Sequence, residues 1–239
     1  MRTVSVASFN IHWGRRPRTY EPFDLVAACR RLDADVLALQ EVWRPDGSPS
    51  VAAEVAEALG YQLHEVWTAR AAVHPRCHIA GKAGEPTGDG DWGQALLTRV
   101  RRGPVVDWKL SGFLFDVTDR VVMTTAIDVD GVPMAVCASH FPHLEHISPL
   151  LRWRLPPLLP ERDGPAVLMG DFNMWRWVTR FIVPGWRDTV RGPTWPAHRR
   201  PMFQIDHLLT TSPVDATDTE VVDVGESDHL PIRAQLSVR

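Results

Sequence analysis

Apolar residues come along this chain in short runs that close on polar ones. Thr3 to Asn10 carries Val4, Val6, Ala7 and Phe9 and ends at Asn10. Val36 to Val42 repeats the design, with Gln40 and Glu41 near its C-terminal end. Ala166 to Met169 is a third apolar run, followed by Gly170 and then by Asp171 and Asn173 on either side of Phe172. Runs of this length without polar alternation predict strands buried on both faces. Period-two alternation puts Asp171 and Asn173 on one face of a strand end and Phe172 on the other, at a rim where loops leave room for a ligand.

Between these runs the pattern changes period. Pro22 to Leu32 predicts a helix with Phe23, Val26, Ala27 and Arg30 at three- and four-residue spacing, and Ser50 to Leu59 predicts a second. Alternation over Tyr61 to Trp67 predicts a strand, and Gln94 to Thr98 another. Thr68 to Gly93, rich in Gly, His and charge, reads as a long loop. Val121 to Asp130 and Pro133 to His140 read as a hairpin turning at Asp130-Gly131. A helical stretch around Glu145 to Leu155, the Pro-rich Pro156 to Pro165, a short helix to about Phe181, a strand-like Met202 to Leu209 and a closing strand from Ile232 to Val238 complete the chain.

Composition narrows the class. The 239 residues, 44% hydrophobic and 23% charged, suit one domain spanning residues 1–239, and no window carries the roughly 18 unbroken apolar residues of a membrane helix. The first residues lack an apolar signal core, and Cys29, Cys77 and Cys137 are scattered and odd in number; both lead us to expect a cytoplasmic protein. Net charge is −3, so the whole-protein field does not advertise a nucleic-acid binder. Lys82 and Lys109 are the only lysines, which leaves arginine for the remaining cationic positions. Arginine grips phosphate in bidentate fashion, although such a bias also follows from codon composition.

The polar residues at or near the ends of the buried runs are Asn10, Glu41, His140, Asp171, Asn173, Asp206, Asp228 and His229. Carboxylates and amides without cysteine make a hard oxygen site suited to Mg²⁺, with Mn²⁺ as a substitute. Two histidines beside them can carry a proton or stabilise an anionic transition state. The set points to metal-assisted hydrolysis of a phosphate ester. His140, His143 and His146, at three-residue spacing with Pro142 between, do not match a usual zinc motif, and His74 with Cys77-His78 reads as loop.

Ser8-Phe9-Asn10-Ile11, Leu39-Gln40-Glu41-Val42, Ser139-His140-Phe141, Gly170-Asp171-Phe172-Asn173, Ile205-Asp206-His207-Leu208 and Ser227-Asp228-His229-Leu230-Pro231-Ile232, in that order, resemble the endonuclease/exonuclease/phosphatase superfamily, the deoxyribonuclease I-like fold. The resemblance implies a four-layered α/β sandwich: two mixed sheets face to face, helices outside, the site at one rim. It implies Glu41 as the principal Mg²⁺ ligand with Asn10 beside it, and Asp228 supporting the metal or His229. It implies Asp171 orienting or deprotonating water, Asn173 holding the phosphate, and His229 paired with Asp206. His140 would be a second histidine, a proton donor to the leaving oxygen, with Glu65 as a candidate acidic partner. Trp92 to Leu97 and Arg120 resemble family positions too, although Gln94 stands where Asn is commoner.

Trp13, Trp43, Trp175 and Trp177 follow the strand ends that carry Asn10, Glu41 and Asn173, accompanied by Arg15, Arg16, Arg18, Arg44, Arg176 and Arg180. Such a rim can stack unpaired bases, lie at a lipid headgroup boundary, or pack the loops onto the sheets. The expectation is a phosphodiesterase, foremost a nuclease acting on DNA, with Arg120, Trp13 and Trp175 touching substrate. The alternatives are a lipid or sugar-phosphate phosphoesterase and a non-catalytic binding module. The sequence leaves the oligomeric state open.

Overall fold

The computed structural model describes residues 3–72, 78–82, 88–110, 118–143 and 151–239. Their strands are β1 (Val4–Asn10), β2 (Val36–Pro45), β3 (Gln62–Ala72), β4 (His78–Lys82), β5 (Gly90–Thr98), β6 (Val106–Leu110), β7 (Arg120–Val129), β8 (Val132–His140), β9 (Ala166–Asp171), β10 (Arg187–Asp188), β11 (Asp206–Thr210), β12 (Val214–Val221) and β13 (Ile232–Val238). Their helices are α1 (Leu25–Leu32), α2 (Val51–Leu59), α3 (Leu151–Arg154) and α4 (Arg176–Ile182). The strands form a seven-stranded sheet, β12-β13-β1-β2-β5-β3-β4, and a six-stranded sheet, β10-β11-β9-β8-β7-β6. Each sheet contains one parallel pair, β1 with β2 and β8 with β9, and antiparallel neighbours otherwise, so both are mixed.

Strand parity builds the layers. Val4 and Val6, Val36 and Ala38, Met134 and Val136, and Val167 and Met169 belong to one core cluster that fills the space between the sheets. The alternate residues Phe9, Leu37 and Leu39 pack beneath α1 and α2, while Cys137, Leu168 and Phe172 pack beneath α3 and α4. The result is helix, sheet, sheet, helix: the expected four-layered sandwich.

Several elements depart from the sequence pattern. Much of Thr68 to Gly93 is strand rather than loop, because β3 continues to Ala72, β4 pairs with it, and β5 starts at Gly90. Glycines make this possible: a Cβ on Gly93 would stand 2.0 Å from the Val66 carbonyl oxygen. Helix α1 begins at Leu25, not Pro22, since Asp24 caps it by accepting the Ala27 N–H at 2.8 Å. Its buried face is therefore Leu25, Ala28, Cys29 and Leu32, and Arg30 is exposed. Met202 to Ile205 is not strand, and β11 starts at Asp206. β6, β10 and β12 lie where the sequence pattern predicted no strand; in β12 Asp215, Thr217, Asp218, Thr219 and Glu220 interrupt any apolar run. Residues 144–150 of the expected helix around Glu145, together with His74, Cys77 and His146, lie outside the described residues. Cys29 and Cys137 are buried and free, and burial pushes both thiols up to about 12.

Gly170 fixes the approach of β8 and β9: a Cβ there would sit 1.8 Å from the Ser139 carbonyl oxygen. Gly170→Ala is therefore expected to lose at least about 3 kcal/mol of stability through forced separation of the parallel pair. Urea unfolding measures it; a midpoint equal to that of the unsubstituted protein would contradict the close approach.

Candidate active site

The parity that buries Val6, Ala138 and Met169 between the sheets carries Asn10, His140 and Asp171 to the same face at one rim, and Asp206 joins them from β11. Asp206 pairs in register with Asp171, and His140 with Asp171 from the other side. Glu41 would point outward by simple alternation. A bulge between Gln40 and Val42 leaves it unpaired at φ 57°, and this turns the side chain toward Asn10. His229 and Asp228 arrive from the turn before β13.

Asp171 is the hub. Its Oδ2 accepts from Asn10 Nδ2 at 2.9 Å and lies 3.5 Å from His140 Nε2 and 3.7 Å from His229 Nε2. Its Oδ1 accepts the Asn173 N–H at 2.8 Å, which needs the left-handed Asn173 backbone, φ 52°. Asn10 Nδ2 also donates to Glu41 Oε1 at 3.1 Å, tying the two carboxylates together. His229 Nδ1 meets Asp206 Oδ2 at 2.9 Å. Burial pushes the Asp171 carboxyl up to about 7, with Asp206 adding to the effect and His229, Asn10 and the Asn173 N–H opposing it. For His229 burial alone favours the neutral ring, but Asp206, Asp171 and Asp228 together hold its pKa well above the ordinary histidine value.

His140 takes the opposite state. Asn173 Nδ2 donates to the Phe141 carbonyl at 3.0 Å, which fixes the amide orientation, and the same nitrogen faces His140 Nε2 at 2.9 Å. Nε2 must then accept, so the ring is neutral with its proton on Nδ1, an atom without a hydrogen-bond partner among the described residues. Burial lowers its pKa well below the ordinary value, and Arg120, His143 and His229 lower it further. The candidate acidic partner is elsewhere: Glu65 accepts from the Ser50 hydroxyl at the start of α2.

A cavity of about 450 Å³ opens over these groups, lined by Glu41 and Asp228 on one side, Asp171, Asn173 and His229 at the base, and Trp175, Trp195 and Phe203 as aromatic wall. Trp175 is 44% exposed there, as a rim residue should be. Trp13 is not: at 3% exposure it packs with Trp43 and Trp92, at ring distances of 5.3 and 6.5 Å, because the left-handed turn at His12 and Trp13 after β1 leads its ring into the cluster with residues of β2, β3 and β5. Trp43 is buried in the same cluster. Arg120 is buried too, 5.8 Å over the Trp92 ring and donating to the His140 carbonyl at 3.4 Å. Trp13 and Arg120 thus support the site from beneath rather than line its cavity.

Two groupings bear on a metal ion. Glu41 and Asp228 face the cavity, and Asp228 adds to the burial that raises the Glu41 carboxyl, a repulsion that a hard divalent cation between them relieves. Asp171, Asp206 and His229 bring ligand atoms within 4.8 Å of one another, but His229 Nδ1 and Asp206 Oδ2 are already joined. The first grouping fits an incoming ion better.

The family model for the endonuclease/exonuclease/phosphatase family matches residues 7–229. The chain belongs to that family. No curated protein matches it. Solved structures do: the endonuclease/exonuclease/phosphatase from Beutenbergia cavernae DSM 12333, 23% identical, TM-score 0.77, covers all of this chain with 72% of its own. A family protein from Leptotrichia buccalis C-1013-b, 16% identical, TM-score 0.74, pairs 98% of this chain with 99% of its own. D. rerio TDP2 complexed with single strand DNA product, 16% identical, TM-score 0.64, pairs 99% with 99%. Members of the endonuclease/exonuclease/phosphatase family hydrolyse phosphate esters, generally with a divalent metal.

Sequence reasoning missed residues that hold the endonuclease/exonuclease/phosphatase motifs in place. The Thr194 hydroxyl accepts the Asp206 N–H at 3.3 Å, and the Ser227 hydroxyl donates to the Asn10 carbonyl at 2.8 Å and accepts the His229 N–H at 3.2 Å. Buried Asp188 meets His207 at 3.0 Å and Arg176 at 2.9 Å, locking β11 to the start of α4. Ser227 and His207 stood inside quoted motifs; Thr194 and Asp188 carried no local signal.

The folded protein holds the Asp171 proton more tightly than the unfolded chain does. Between the ordinary carboxyl value and about 7 its contribution to stability therefore falls as pH rises, and above about 7 the full cost of burying the carboxylate remains. In EDTA, Asp171→Asn should melt at least ~3 °C higher than wild type near about pH 8, equivalent to roughly 1 kcal/mol at this size, with the gap closing near about pH 4. Calorimetry that finds the variant less stable at the higher pH would contradict the buried-charge account.

Proposed function

We propose that this chain is a divalent-metal-dependent phosphodiesterase whose substrate is nucleic acid, DNA foremost. The observation that carries the reading is the cavity itself, whose lining gathers the carboxylates of Glu41 and Asp228, Asp171 beside the Asp206-backed His229, and three aromatic side chains around one volume. Aromatic faces beside a phosphate site stack bases without regard to sequence.

Glu41 and Asp228 are the residues that would hold Mg²⁺ or Mn²⁺, with Asn10 steadying Glu41. The ion, when bound, supplies charge neutralisation for the phosphoryl oxygens. Asp171, fixed by Asn10 and the Asn173 N–H, orients the attacking water and accepts its proton. Protonated His229, backed by Asp206, donates from Nε2 to the phosphate as negative charge grows. Asn173 has both amide hydrogens committed, so its part is to hold neutral His140 beside Asp171. With Nε2 accepting from Asn173, neutral His140 has no proton on that nitrogen to give the leaving oxygen, which makes protonated His229 the better donor.

A second reading, a lipid phosphodiester substrate, draws on Trp177 and Phe181, 68% and 61% exposed on α4 below Trp175. No helix among the described residues is long and apolar enough to cross a membrane. A cytoplasmic location is part of the proposal.

One panel tests it: plasmid, oligonucleotide, RNA, sphingomyelin and phosphoinositide with Mg²⁺, Mn²⁺ or EDTA. Nucleic acid is cleaved with metal and not in EDTA. Asp171→Ala and His229→Ala each lower kcat by about 10³-fold or more, and Trp175→Ala raises KM with kcat little changed. Cleavage that persists in EDTA and in Asp171→Ala would sink the mechanism; cleavage of lipid alone would favour the second reading, and no cleavage of any substrate would favour a binding module.

A further inference from the structure

Beside the catalytic cavity lies another of about 630 Å³, walled by Arg16, Arg18, His198 and Arg199 and floored by the turn that contains Glu226 and Ser227. The two cavities share a partition. Ala197, which lines the second, donates its N–H to the carbonyl of Asp228, which lines the first. Ser227, also lining the second, carries its hydroxyl to the Asn10 carbonyl at 2.8 Å.

The wall that comes from the β1–α1 connection is built rather than loose. Arg15 bridges Pro22, the Arg16 N–H donates to the Glu21 carbonyl at 2.9 Å, and the Tyr20 N–H returns to the Arg16 carbonyl at 2.9 Å. The Arg16 guanidinium is clamped on Glu226 at 2.6 and 3.1 Å. This positions Arg18 at the loop tip, where its Nη2 reaches across to the His198 carbonyl at 3.3 Å. Glu226 is thus neutralised by Arg16, which leaves Asp223 as the other acid in the lining. Among the described residues no carboxylate lies within ion-pair distance of Arg18 or Arg199. Arg18 and Arg199, both exposed, line the same pocket, and His198 in that lining has a buried Nδ1 with no hydrogen-bond partner among the described residues. Guanidinium groups without a carboxylate partner, beside an unpartnered ring nitrogen that can carry a proton, match an anion with several oxygens.

We propose that this cleft is a second phosphate subsite, in which Arg18 and Arg199 hold a further phosphate of the same substrate whose scissile phosphate lies over Asp171. It rests on the phosphodiesterase reading and deepens it: the substrate carries at least two phosphates, as a polynucleotide strand or a polyphosphorylated headgroup does.

The test separates this from the chemistry by measuring binding in EDTA. A fluorescein-labelled single strand of about eight nucleotides is titrated by anisotropy over a salt series, against wild type, Arg18→Ala/Arg199→Ala and Arg18→Lys/Arg199→Lys, with inositol hexakisphosphate as competitor. The alanine variant, with unchanged Tm, should bind the strand about tenfold more weakly and lose about 0.7 from the slope of log affinity on log salt, the share of one phosphate; the lysine variant should recover most of it. With metal, its KM for the strand should rise about tenfold while bis(p-nitrophenyl) phosphate, which has one phosphate, is hydrolysed within about twofold of wild type. Strand binding left intact but competition by inositol hexakisphosphate lost would keep the subsite and assign the headgroup as its source. Wild-type affinity for both probes in the alanine variant would overturn it. If wild type hydrolyses neither phosphodiester, the phosphodiesterase reading fails, and the binding result still decides the cleft.

Discussion

A carboxylate buried where two sheets meet is costly unless its surroundings compensate, and Asp171 stands in that position. Asn10 and the Asn173 N–H give it two hydrogen bonds, and His229 gives it a nearby positive charge. The compensation is partial, since burial still pushes its proton affinity up to about 7. A group in that state takes up a proton readily near neutrality, the property a general base needs. Each neighbour is tied down in turn: Asp206 backs His229, Ser227 fixes the His229 backbone, and Thr194 fixes that of Asp206.

The sheets supply the convergence. Because Asn10, His140, Asp171 and Asp206 keep the parity of apolar residues that fill the inter-sheet core, the packing that stabilises the domain also aims the polar groups. Glu41 is the exception, and the bulge that turns it places a left-handed φ on a non-glycine residue, a local strain of the kind found at functional positions. The opposite charge states of His229 and His140 follow from their surroundings: burial, with Arg120, His143 and His229, keeps His140 neutral while an amide N–H faces its Nε2, whereas Asp206, Asp171 and Asp228 outweigh burial at His229.

The sequence was most legible where burial and period coincide. β1, β2, the β7–β8 hairpin and β9 follow short, mostly apolar runs and β13 a period-two alternation, and the ordered motifs were sufficient to anticipate the sandwich and the polar residues that meet at its rim. It was least legible where tertiary context decides. β12, with Asp218 and Glu220 exposed, and β6, with Asp107 and Lys109, exist because a neighbouring strand offers its edge. Trp13 and Trp175 both follow site strands in a similar way, yet one is buried against Trp43 and Trp92 and the other lines the cavity; only the path of the backbone distinguishes them. Asp188 and Thr194 act through partners distant in sequence, which no local pattern reveals.

The central claim is that one carboxylate, Asp171, lies between two histidines held in opposite protonation states. Imidazole ¹⁵N NMR of the metal-free protein, assigned with His140→Gln and His229→Gln, reads those states directly. The account predicts that His229 remains doubly protonated well above the ordinary histidine pKa, while His140 remains neutral with its proton on Nδ1 well below it. Two rings titrating together near the ordinary value of about 6.5 would contradict it.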